Sequence, residues 1–168
     1  MELRMFILLI FLAAASGWDL KEKCIPVWVF ILPAVVMVLL DFGYIANEVL
    51  GNAKVTGNTI IAVEHIAGTV NRILIEKLGG IAVGLVLLAV SKLTHGQIGE
   101  GDGITFLITG FCLGFEENFL LLLEALLLSS MWGLIWMLMK KINLKTSLPF
   151  VPFVLTAFVI RMFPVMSF

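Results

Sequence analysis

The chain has 168 residues, 61% of them hydrophobic and 14% charged, with a mean hydropathy of +1.10. A soluble domain is about half apolar and a quarter charged, so the composition argues against a soluble enzyme or a disordered regulator, and a net charge of −1 supplies no basic field for nucleic acid. What remains is an all-α polytopic membrane helical bundle, a single integral-membrane domain over residues 1–168 that has the lipid bilayer as its solvent.

The first apolar stretch covers residues 1–18. Its arginine, its apolar core and Ala13-Ala14-Ala15-Ser16 also fit a cleavable signal peptide. In a chain that is elsewhere a membrane bundle, a retained first span is the preferred reading. The second stretch is 25–44, and the polar residues 48–59 read as a loop. Over 60–77, Val63, Ile66, Val70 and Ile73 share a helical face, and Glu64, Asn71, Arg72 and Glu76 fall mostly elsewhere. This pattern predicts an interfacial amphipathic helix that does not cross the bilayer. A third span covers 78–94, a polar turn 95–103, and three further spans 104–115, 118–139 and 149–168. The expectation is about six transmembrane helices plus the interfacial one.

Spanning hydrocarbon takes about 20 helical residues, so the first and fourth spans are short. Asp19 closes one and Asp102 opens the other. With six crossings, the turns at Asp19, Asp102 and Lys140 share one side of the membrane. That side collects Lys21, Lys23, Lys92, Lys140, Lys141 and Lys145, against Arg4, Lys54, Arg72 and Lys77 on the other. The bias makes the two-aspartate side cytoplasmic.

Two carboxyls close together cannot easily both ionise. One retains a proton while the other stays charged. Such a pair can activate water and polarise a scissile carbonyl, as aspartic proteases do. Gly99, Gly101 and Gly103 would let a substrate backbone approach Asp102. The plainer reading of Asp102 is a helix N-cap, and both readings stand on these residues alone. His95 could tune the pair or be a wet loop histidine. Glu100 could contact a basic leader or be a solvated carboxylate. Cys24 and Cys112 form no CxxC pair and suggest neither a zinc site nor a disulfide.

The segment from Asp19 to Ile25-Pro26 resembles the type IV prepilin peptidase pattern, in which Ile-Pro follows the aspartate by six and seven residues. Gly99-Glu100-Gly101-Asp102 is similar to that family's GxGD. Gly110 and Gly114 follow at the family's spacing, and Pro149-Phe150-Val151-Pro152-Phe153 resembles the opening of its last helix. The four matches occur in order along the whole chain. The resemblance implies a membrane aspartic endopeptidase with Asp19 and Asp102 as catalytic pair and neither metal nor organic cofactor. It would remove the basic leader from prepilin-like, pseudopilin-like or archaellin-like precursors, just before their hydrophobic segment, at the cytoplasmic face of the inner membrane. Preflagellin peptidases and short prepilin peptidases are the compact forms it looks like. Val27 stands where the family usually has Asn, Ile104 where it usually has Lys, and the interval between the aspartates is longer than the family's. The cysteine-bearing domain of larger members has no counterpart, so no methyltransferase activity is expected. A presenilin-like reading would need a Tyr-Asp motif, and Tyr44 is followed by Ile45.

Other polar residues lie inside apolar stretches. Glu124 and Arg161 fall at matching depth, roughly 9–11 Å from the outer end by helical rise, and are expected to pair, with Asp41 as a rival partner. They serve as structural glue or, in a transporter or channel component, as a lined path. A non-catalytic membrane scaffold is a third class. Gly80/Gly84 and Gly110/Gly114 are GxxxG pairs expected to bring the third and fourth spans close. Oligomeric state is not legible in the chain.

Overall fold

A computed structural model describes residues 2–22, 25–55, 59–94, 99–139 and 149–166. These form six helices and no strand among the described residues: α1 (Glu2–Glu22), α2 (Val27–Val55), α3 (Thr59–Leu93), α4 (Glu100–Leu113), α5 (Phe115–Leu138) and α6 (Val151–Met166). Four stretches are long and apolar enough to cross a membrane: Leu3–Lys21, Val27–Asn47, Ala67–Leu93 and Phe115–Leu138.

Three expectations are corrected. The loop expected over 48–59 is helical through Val55 and again from Thr59, with 56–58 outside the described residues. A helix already nucleated adds polar residues cheaply, and Gly51 and Asn52 do not end it. The interfacial helix over 60–77 and the third span are one helix, α3, whose 35 residues run to about 52 Å at 1.5 Å per residue. No proline interrupts it, and its candidate membrane span, Ala67–Leu93, takes in much of the stretch expected to lie apart from the third span. The first stretch is not short: α1 runs one turn past Asp19, which therefore lies inside the helix end.

α4 is the centre of the bundle. Thr105, Phe106 and Thr109 are wholly buried there, and the core continues through Leu8, Leu12 and Ala15 of α1, Leu121 and Ala125 of α5, and Val151, Val154 and Ala157 of α6. The outward faces of α2, α3 and α5 present Leu39, Val86 and Leu127. These are side chains suited to a hydrocarbon solvent.

The most extensive helix contact is α3 on α4, and glycine makes it possible. A methyl at Gly80 or Gly110 would collide with the other residue's backbone carbonyl, and one at Gly103 would lie 2.7 Å from Leu88 Cγ. The expected GxxxG packing is thus present. Asn118 of α5 locks the contact. Its amide nitrogen donates to the carbonyls of Gly80 (3.2 Å) and Phe106 (3.1 Å), and Thr109 Oγ1 donates to its oxygen at 2.7 Å. Gly114 (φ 84°) then turns α4 directly into α5, a left-handed conformation that favours glycine.

Gly80→Ala is expected to destabilise the bundle by about 1–3 kcal/mol, the usual range for overpacking. Gly43→Ala, where an added methyl meets nothing within 4 Å, is expected to be neutral or slightly stabilising. Unfolding of both variants in mixed detergent micelles checks the contrast.

Candidate active site

Three helix ends converge at one end of the bundle. The start of α4 follows Gly99, whose extended backbone (φ −62°, ψ 130°) forms the N-cap. Asp102 is thus not the cap, as the plainer sequence reading had it. It sits in the first helical turn, where the start of α4 favours negative charge. Its amide donates to the Gly99 carbonyl at 3.1 Å, and Thr105 Oγ1 secures the same turn by donating to the Gly101 carbonyl at 2.8 Å.

α6 reaches the same place from the other end of the sequence. Phe150 accepts the first helical bonds, from the amides of Phe153 (2.9 Å) and Val154 (3.3 Å). Its ring packs against Phe106 of α4 with centroids 6.2 Å apart. The next amide, that of Val151, donates to Asp19 Oδ2 at 3.1 Å. Residues 132 positions apart are joined by this bond, so the ends of α1 and α6 are held together beside α4. Trp18 and Trp28 pack edge to face, 5.2 Å between centroids, across the turn from α1 to α2. Amphipathic tryptophans of this kind collect at membrane surfaces.

Asp19 and Asp102 are within electrostatic reach of each other. Asp102 precedes the apolar run that begins at Ile104, and its carboxyl is pushed up from 3.8 to about 7. Burial is the main cause and the Asp19 charge the second, with a hydrogen bond that the carboxyl accepts from the Gly99 backbone amide opposing both. Removal from water and a neighbouring like charge both disfavour ionisation. Asp102 therefore holds a proton near neutral pH beside a second carboxyl. That pairing can serve proton transfer.

The other expected residues fare differently. Gly99 lies against Asp102, where an added methyl would stand 3.1 Å from Oδ2. Gly101 and Gly103 are helical and not part of an open loop. Gly103 is needed for the approach of α3, and a methyl at Gly101 would meet only Ile25, at 3.7 Å. Glu100 is exposed at the first position of α4. His95 and Cys24 lie outside the described residues.

The intramembrane charges gather at the opposite end. Arg161 meets Glu124 at 3.7 Å, as expected, and makes a closer pair with Glu117 at 2.8 Å, whose carbonyl it also engages at 2.9 Å. Asp41 is not its partner. Asp41 is held by Arg4 at 2.8 Å and Lys77 at 2.6 Å. The Lys77 contact is ionic, and its aligned hydrogen bond goes to the Phe111 carbonyl at 2.9 Å. Arg4, Asp41, Lys77, Glu117 and Arg161 line a partly open cavity of ≈ 780 Å³ under the end of α4.

Sequence reasoning missed the Val151 amide and the roles of Asn118, Lys77, Arg4 and Glu117. Backbone donors carry no residue signature, and the ion pairs join segments far apart in the chain. Among the described residues no group of three His, Cys, Asp or Glu converges to hold a metal ion. No family model, curated protein or solved structure matches the chain.

Proposed function

We propose that the protein is a membrane aspartic endopeptidase acting through Asp19 and Asp102. On this reading it trims the basic leader of prepilin-like precursors at the cytoplasmic surface of the membrane. The observation that carries the reading is the electrostatic coupling of the two carboxyls at one end of the bundle, with Asp102 raised to about 7 by burial and by the Asp19 charge. A pair sharing one proton at neutral pH can deprotonate water and protonate a departing amine in one cycle.

All six helices cross the bilayer in this reading, although α4 and α6 are short. Successive crossings then bring the end of α1, the start of α4 and the start of α6 to one surface. A substrate whose apolar segment lies in the bilayer would present the peptide bond just outside it at the depth of the pair. The charged groups at the other end are closed into pairs, which suits structural glue better than a transport path.

The test is cleavage of a leader-bearing prepilin peptide by the purified protein in lipid vesicles, across pH. The singly protonated pair persists up to about pH 7 and is depleted tenfold per unit above it. Cleavage should therefore be high at pH 6–7 and fall as Asp102 loses its proton. Absence of cleavage with prepilin, pseudopilin and archaellin leaders alike would reject the reading.

A further inference from the structure

We infer that the cavity under the far end of α4 binds the headgroup of an acidic phospholipid, with the phosphodiester held against Arg4 and Lys77. The inference stands on this end of the bundle alone and does not rest on the peptidase reading. The cavity, of ≈ 780 Å³, is partly open and falls within the size of pockets that hold small molecules, about 300–1,000 Å³. Its charged walls lie where the candidate spans begin. Arg4, Arg72 and Glu117 fall in the first two turns of Leu3–Lys21, Ala67–Leu93 and Phe115–Leu138 respectively. With those spans in a bilayer, the cavity sits where headgroups give way to hydrocarbon.

Pairing the charges wall by wall leaves one cation over. Arg161 meets Glu117 at 2.8 Å, and Arg72 meets Glu76 at 4.0 Å. Glu124, 3.7 Å from Arg161, stands off the cavity wall, so that end has no positive excess. On the other wall, among the described residues, Asp41 answers two cations, Arg4 at 2.8 Å and Lys77 at 2.6 Å. Lys77 and Asp41 are largely buried, and an excess of charge away from water needs a counter-ion. A phosphodiester carries a single negative charge. Asp41 repels a second one, which favours a phosphodiester over a dianionic phosphomonoester.

Arg4 has the donors to receive it. A guanidinium offers five N–H groups in a planar fork that matches phosphate oxygens. Arg4 meets Asp41 Oδ1 through one terminal nitrogen and stands 6.0 Å from the centroid of the Tyr44 ring. Its side chain is 35% exposed, so an oxyanion can reach the fork from the cavity. Lys77 already donates to the Phe111 carbonyl and contributes charge more than a further bond. Beside the charged groups the lining is apolar, through Met5, Leu8, Phe111, Phe158 and Met162. A free phosphate has no use for that surface, whereas the glycerol and first acyl carbons of a lipid do. Basic pockets between membrane helices hold acidic headgroups in this way. A zwitterionic headgroup brings its own cation and leaves the excess in place.

Native mass spectrometry reads the bound lipid directly. The full chain is released from micelles that hold phosphatidylglycerol, phosphatidylethanolamine and phosphatidylcholine in equal amounts. The wild type should retain one phosphatidylglycerol per chain and neither of the other lipids. Arg4→Gln removes the surplus cation and leaves the Lys77–Asp41 contact whole. It should bind phosphatidylglycerol about tenfold more weakly, the loss expected for one charge-assisted hydrogen bond. Arg4→Lys should restore most of the retention. Lys92→Gln, in the last turn of α3 and away from the cavity, should leave it unchanged. Should Arg4→Gln fail to fold, Ile73→Glu takes its place, because it sets a balancing carboxylate on a partly buried part of the same wall. Equal retention of the three lipids overturns the inference, as does undiminished retention in the charge-balanced variant or an equal loss in Lys92→Gln. Full displacement of the lipid by inorganic phosphate also overturns it, since the site would then belong to a free anion.

Discussion

Asp102→Asn is expected to lower leader cleavage by about 10³-fold or more, the loss that follows removal of a positioned proton donor, while leaving the bundle inserted. The amide can still donate a hydrogen bond to a carbonyl, but it has no acidic proton to give to the leaving nitrogen. Asp19→Asn should be as damaging, because water then has no base. The stability of Asp102→Asn should move the other way. Burial raises the Asp102 carboxyl from 3.8 to about 7, so between those values the folded chain holds a proton that the unfolded chain has released. Wild-type stability therefore falls as pH rises through that window and levels off above it. Asparagine lacks the titration, so the variant should gain on the wild type from pH 4 to pH 7 and keep the gain at pH 8. Denaturation in mixed micelles at pH 4, 6 and 8, alongside cleavage at pH 6.5, reads both effects. Full cleavage by Asp102→Asn would remove it from the mechanism.

The second large effect lies at the other end of the bundle. Lys77→Met should destabilise by about 3 kcal/mol, near the low end for breaking a buried ion pair. Lys77 is 15% exposed and Asp41 12%. Removing the ammonium leaves the Phe111 carbonyl without its donor and leaves Asp41 with Arg4 alone. Retention of Arg4 keeps the loss from the top of the range. The Phe111 ring, whose centroid is 4.0 Å from the ammonium, loses a cation that methionine replaces only in volume. Asp41→Asn in the Lys77→Met background should recover part of the loss, since the unpaired charge is then gone. Additive losses in that double-mutant cycle would show that the pair contributes nothing beyond packing.

The sequence made some of this legible for definite physical reasons. Successive antiparallel helices alternate direction, so Asp19 and Asp102 could be assigned to one end of the bundle without coordinates. Helical rise alone matched Glu124 to Arg161 in depth. Glycines four apart have one strong use between apolar helices, and Gly80 and Gly110 serve it. The failures are also specific. The polar side chains at Glu64, Asn71, Arg72 and Glu76, set mostly off the face of Val63, Ile66, Val70 and Ile73, suggested a helix lying on the surface. The charges on Lys77 and Asp41 cancel only once α2 and α3 are side by side, a fact no local window contains. Asn118 reads as an ordinary polar residue at the start of a span until α3 and α4 supply its partners. Val151 is invisible for a deeper reason, because its contribution is a backbone amide that any residue but proline would provide.

The brevity of α4 has a consequence for the barrier itself. Its 14 residues rise about 21 Å, against a hydrocarbon layer of about 30 Å. The missing length is occupied at its far end by a cavity bearing arginine, lysine and carboxylate groups. With all six helices crossing, as proposed, the insulating layer inside the protein is thinner than in the surrounding lipid. A voltage across the membrane would fall more steeply along α4 than through the bilayer beside it.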